Sequence, residues 1–122
     1  MGVFMIYNLK MKQKGFENVR VQYNLSTRET IVFAGSPLAQ ENKGTSSSYK
    51  KFREELKKEG IIDGTKFLKN YIFVQKKKND TSLSFAAAVI LNRKASYNEE
   101  FEIDGQPVFQ YIINDFLTKE NK

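Results

Sequence analysis

The chain has 122 residues, 40% of them hydrophobic and 13% aromatic, and it contains no cysteine, histidine or tryptophan. That length fits one domain with one core, and the composition excludes intrinsic disorder, a disulfide framework, thiolate nucleophiles and imidazole acid–base chemistry. The net charge of +6 is unevenly spread, with eleven basic and five acidic side chains in residues 37–78 against four and seven in residues 79–122.

In chain order, residues 4–12 end in apolar/polar alternation, which predicts a first strand. Val19, Val21 and Tyr23 fall on one face of a second strand, and the β-branched run Thr30 to Ala34 predicts a third, more buried one. Residues 24–28 supply a hairpin connection between them, so the first third of the chain reads as an antiparallel meander. Pro37 cannot donate to a ladder and ends the sheet segment. Residues 36–48 are rich in Ser, Thr, Asn and Gly and predict an exposed, mobile loop long enough to carry a function.

Ser48 is placed to cap a helix over Tyr49–Glu59, with Tyr49, Phe52 and Leu56 as its buried stripe. Gly60 fits the left-handed position after that helix, with Ile61 packing back on its last turn, and Asp63-Gly64 marks a turn. Phe67-Leu68 and Tyr71–Val74 predict two short strands, and Lys76–Asp80 a charged loop. A helix of small residues follows over about Ser84–Leu91, capped by Ser82 or Ser84 and ended by Asn92. Glu100–Ile103 predicts a strand ending at the Asp104-Gly105 turn. Pro107 suits the first position of a last helix, whose apolar stripe contains Val108, Tyr111, Ile112 and Phe116. The fold class is therefore α+β, a mostly antiparallel sheet with two or three packed helices, in a single domain over 1–122.

Catalytic candidates are few. Serines lack an identifiable base, and lysines suit a solvated role better than a buried one. Glu100, Glu102 and Asp104 share a strand parity that would suit a divalent cation, but an exposed strand face next to a turn explains them better. Glu54 and Lys58 have the spacing of a helical ion pair. The stronger constellation is basic: Lys50, Lys51 and Arg53 near a helix start with Ser48, Lys43 and Lys76, Lys77 and Lys78 in loops, and Arg93 and Lys94 leaving the small-residue helix. With Ser82 and Ser84 these form the candidate nucleic-acid-binding set, given that phosphate contacts need cations, hydroxyls and free backbone amides. Polyanion binding and plain solubility both remain open as explanations of the charge.

Four blocks carry a family resemblance. They are Ile31–Ala39; Ser48–Leu56 with Gly60-Ile61-Ile62; Asn70–Phe73; and Ser82–Arg93, a serine start, an alanine run and a basic exit. In that order they resemble, over residues 30 to 105, an uncharacterised domain found at the C-termini of GIY-YIG-type nucleases and in restriction–modification proteins. The serine-and-alanine block is also similar to the domain associated with restriction enzymes and adenine methylases and proposed to recognise modified DNA. Leu83 stands where that pattern has Pro, and Asn92 where it has Gly; Lys76–Thr81 is an insertion, and Tyr97 or Phe101 replaces a Trp. The resemblance implies a non-catalytic nucleic-acid-binding accessory module of nuclease or restriction–modification systems, with DNA as partner, a possible nuclease or defence-protein partner, and no cofactor or metal. The alternative is a small phage or mobile-element protein that inhibits a host defence protein through a protein–protein interface, with the tyrosines as anchors. No run reaches the roughly 20 apolar residues of a membrane span, and residue 1 opens no signal-peptide pattern, so a complete cytoplasmic protein is expected.

Overall fold

The computed structural model describes residues 6–40, 47–75 and 81–120, with 47–48 and 116–120 described by backbone alone. Six strands form one antiparallel sheet: β1 (Ile6–Met11), β2 (Val21–Asn24), β3 (Glu29–Val32), β4 (Tyr71–Phe73), β5 (Phe101–Ile103) and β6 (Gln106–Pro107). Their spatial order is β4-β3-β2-β1-β5-β6. Among the described residues four helices accompany it: α1 (Ser47–Lys58), α2 (Ser82–Leu91), α3 (Tyr97–Glu100) and α4 (Val108–Glu120). The α+β class is as the sequence predicts, with the single turn α3 added to three longer helices.

Strand alternation sets the layers. In register, Tyr7, Tyr23, Thr30 and Phe73 form one cross-strand row and Leu9, Val21, Val32 and Tyr71 another, and these rows face the core. Asn8, Gln22, Ile31 and Ile72 form a row on the opposite face, where Gln22 donates to Asn8. The third strand is not more buried than the second, because it alternates in the same way.

The centre of the core is α2, which packs on β3 and β4 and also contacts α1 and α3. Eight of its ten residues are buried. Ala86, Ala87 and Ala88 carry no side-chain bulk, so the helix axis lies close to the sheet, and their role is packing. The cap differs from expectation: Thr81, not Ser82 or Ser84, is the N-cap, its Oγ1 accepting from Ser84 N–H at 3.0 Å. The helix therefore begins at Ser82. Asn92 ends it in the left-handed conformation (φ 54°), the conformation for which the resembling family uses Gly.

Three further expectations are corrected. The first half of the 36–48 stretch is built in, not mobile: Ser36 and Leu38 are buried, Phe67 N–H donates to Ser36 O, Leu38 N–H to Thr65 O and Ala39 N–H to Ile90 O. These bonds flank Pro37, whose missing amide proton is never called on. Residues 41–46, with Lys43, lie outside the described residues. Phe67 makes only an isolated bridge to Ile62, so 67–68 is no strand. Pro107 ends β6 instead of opening α4, because the hairpin Asp104-Gly105, both at positive φ, turns the chain back early enough to pair Gln106 with Ile103. Asn98 then supplies the helix start, accepting from Phe109 N–H at 2.9 Å.

At the end of α1, Gly60 adopts φ 73° while its N–H donates to Lys57 O and Ile61 N–H donates to Leu56 O. This pair of bonds closes the helix as the Gly-Ile exit predicts. Across the sheet, the Tyr7 hydroxyl donates to Asp115 at 2.8 Å and its ring meets Tyr111 edge-on, fastening α4 to β1. Burial, and then the adjoining carboxylate, push the Tyr7 phenol up to about 12 from an ordinary 10. A raised pKa means that the folded state holds this proton more tightly than the unfolded chain. The stability it contributes is whole below pH 10 and is lost as pH rises from 10 toward 12. Chemical denaturation across that window should show falling stability, and Tyr7→Phe should remove about one proton's worth of the slope.

Candidate nucleic-acid interface

The cationic face of the molecule is built on α1. Leu56 is fully buried, Tyr49 and Phe52 pack partly against the core, and Lys50, Lys51, Lys57 and Lys58 are left exposed. Lys50, Arg53 and Lys57 stand at i, i+3 and i+7, one stripe along the helix. That stripe and Glu54 line a cleft of about 340 Å³ completed by Gln40, Gly64 and Asn92. Gln40 and Asn92 are tied to each other, Asn92 Nδ2 donating to Gln40 O at 3.4 Å.

Arg53 lies at the inner wall. Its Nη1 donates to Val89 O at 3.1 Å, one of the carbonyls at the C-terminal end of α2, where the helix dipole favours a cation. Burial lowers its pKa, and neighbouring Glu54 offsets that only in part. A guanidinium carries five N–H donors, and the hydrogen bond to Val89 uses one. Among the described residues no carboxylate comes within ion-pair distance of Arg53. Desolvation of a cation is costly and is best offset by an anion. The cleft therefore offers unspent donors, flanking lysines and one acidic neighbour, an arrangement suited to an oxyanion.

The other predicted residues divide sharply. Lys51 and Lys94 are exposed. Lys76, Lys77 and Lys78, like Lys43, lie outside the described residues. Ser48 is not the cap of α1, which opens one residue earlier at Ser47. Ser82 is buried and committed: its hydroxyl donates to Arg28 O at 2.7 Å and lies 2.7 Å from Thr30 Oγ1. Since Ser82 has one proton and gives it to Arg28, Thr30 must be the donor of the second bond. Ser84 Oγ accepts from Tyr97 N–H at 2.9 Å and from Thr81 at 3.2 Å. Ser82 is thus spent inside the core, whereas Ser84 is half-buried and holds the Tyr97 amide.

Arg93 is half-buried and paired. It makes a two-pronged pair with Glu100 at 2.8 and 2.9 Å, and it donates to Gln13 at 2.7 Å and to Lys94 O at 3.1 Å. The hydrogen bonds to Glu100 raise its pKa. Glu100 is the last residue of α3, not part of a carboxylate row on a strand, and Glu102 stands opposite Lys10. Among the described residues no cluster of three or more carboxylates could hold a metal ion, and Glu54 and Lys58 do not close into an ion pair.

Sequence reasoning missed Lys57, Gln40, Gly64 and Asn92 as cleft residues. The i+7 spacing from Lys50 would have found Lys57; nothing local marks the other three. Replacing Arg93 with Ala should lower stability by about 1–3 kcal/mol in urea unfolding, since it strands Glu100, while leaving any nucleic-acid affinity unchanged in a mobility-shift assay. No family model, curated protein or solved structure matches the chain.

Proposed function

We propose that this chain is a non-catalytic DNA-binding accessory module whose phosphate contact is the Lys50–Arg53–Lys57 stripe. The observation that carries this reading is Arg53: a half-buried guanidinium with donors to spare and no carboxylate partner among the described residues. An oxyanion arriving at the cleft would offset the desolvation that lowers the Arg53 pKa, and Lys50 and Lys57 on either side would hold a phosphodiester against it. Lys51 and Lys94 add field at the periphery without specific partners.

Association with nuclease or restriction–modification machinery in the cytoplasm rests on the resemblance of the four sequence blocks. The buried Ser82 and Ala86–Ala88 shift the meaning of that resemblance: the serine-and-alanine block supports the site from behind instead of touching the ligand. Base reading and recognition of a modification would then fall to groups around the cleft, of which Gln40 is the exposed amide.

A mobility-shift titration of a labelled duplex and of a single strand at low salt tests this directly. Micromolar affinity is expected, falling steeply with salt. Lys50→Ala and Lys57→Ala should each reduce the slope of log affinity against log salt by about 0.9 if each contacts one phosphate. Absence of binding to either nucleic acid at micromolar protein removes the proposal.

A further inference from the structure

The cleft on α1 ends at a wall, and Arg53 stands there half-buried. Lys50 and Lys57 lie on the same helix stripe, with Gln40, Gly64 and Asn92 completing the lining. The volume of about 340 Å³ falls at the small end of the range for pockets that hold a whole small molecule. It has room for one phosphate with its sugar and not for a length of duplex.

The charge of the cleft is specific as well. Three cations and one carboxylate line it, which leaves two positive charges in excess. Asp63, beside Gly64, does not cancel them, because it is spent on its own turn: Oδ1 accepts from the Thr65 and Lys66 amides and from the Thr65 hydroxyl. Nor does the end of α2 present bare acceptors to an incoming anion. Ala88 O accepts from the Asn92 and Arg93 amides, Ile90 O from Ala39, and Val89 O from Arg53 itself.

Two phosphate chemistries ask different things of such a site. An internal phosphodiester carries a single charge and has a nucleoside on each side, which holds it away from a recessed donor. A phosphate monoester carries about −1.5 to −2 charges at neutral pH, offers three acceptor oxygens and has one substituent, so it enters end-on. We infer that the cleft takes a terminal phosphate monoester at a nucleic-acid strand end, gripped by the Arg53 fork at the wall and neutralised by Lys50 and Lys57. This rests on the reading of the chain as a nucleic-acid-binding module and narrows its phosphate contact from any backbone phosphate to a strand end. A free nucleotide carries the same group, but Lys51 and Lys58, exposed on the same helix outside the cleft lining, suit a polyanion that continues past it.

The test uses the full chain and one single-stranded DNA sequence, labelled at an internal base and prepared with a 5′-phosphate, with a 3′-phosphate, with hydroxyls at both ends, and as a closed circle. In anisotropy titrations at low salt, a phosphorylated strand should bind more tightly than the hydroxyl-ended one by about tenfold or more, the scale of one charge-assisted hydrogen bond. The circle should bind no better than the hydroxyl-ended strand. Arg53→Lys keeps a cation but removes the fork, and should bring the ratio between phosphorylated and hydroxyl-ended strands close to one. Phosphorus NMR covers the case in which that variant fails to fold: with the unaltered protein, the terminal phosphate resonance should shift on binding far more than the internal ones. Equal affinity for all these strands, still lost in Lys50→Ala, would overturn the inference and leave the binding module standing. No binding of any strand would remove both. A free deoxynucleoside monophosphate or a phosphoserine peptide that binds as tightly as the phosphorylated strand would overturn the assignment to a strand end.

Discussion

A helix buried as thoroughly as α2 cannot leave its terminal backbone groups to water, and the protein around it is arranged to supply partners. At the start, Thr81 takes the Ser84 amide while Ser82 anchors its own side chain to Arg28 and Thr30 of the neighbouring hairpin and strand. At the end, Ala88 O accepts from the amides of Asn92 and Arg93, Ile90 O from Ala39, and Val89 O from Arg53. The 35–39 segment is drawn into the core by this demand, and so is one face of α1. The cationic cleft is a by-product of the same requirement: the arginine that completes α2 is held at its inner wall, and among the described residues most of its donors are unspent.

Arg53 and Arg93 show how context divides one residue type into two roles. Arg93 finds a carboxylate, an amide and a carbonyl, is stabilised in its charged form, and fastens the exit of α2 to α3 and to the connection after β1. Arg53 finds one carbonyl and loses water, so its charged form is disfavoured relative to a free side chain. A structural pair is complete; a binding group is left wanting. Lysines on α1 reinforce that difference because they are solvated and mobile enough to follow a ligand.

Much of the fold was legible because it is locally encoded. Alternation at Val19, Val21 and Tyr23, the Asp104-Gly105 turn, the Gly60-Ile61 exit and the left-handed Asn92 each depend on a few adjacent residues. The site was less legible because its logic is non-local. Ser82 and Ser84 have the same short-range signature whether they cap a helix, greet a phosphate or bond to a strand, and only the packing of α2 on β3 decides among these. Arg93 looks free until α3 turns Glu100, seven residues on, back to it and the sheet brings Gln13 from eighty residues away. The mobile loop expected over 36–48 fails in its described part, 36–40, for the same reason, since its polar composition conceals bonds to residues 65–67 and 90.

The place of β1 in the sheet has one more consequence. Its neighbours are β2, a few residues downstream, and β5, which lies near the other terminus with Met11 opposite Phe101. Closing that contact makes a loop of about ninety residues, an entropic cost that local hairpins avoid. During synthesis the first three strands can assemble as a meander, but β1 must wait with one side unpaired until Phe101–Ile103 leaves the ribosome. Completion of the sheet thus waits on β5, and a nascent chain stalled before that point exposes a half-built sheet to chaperones and proteases.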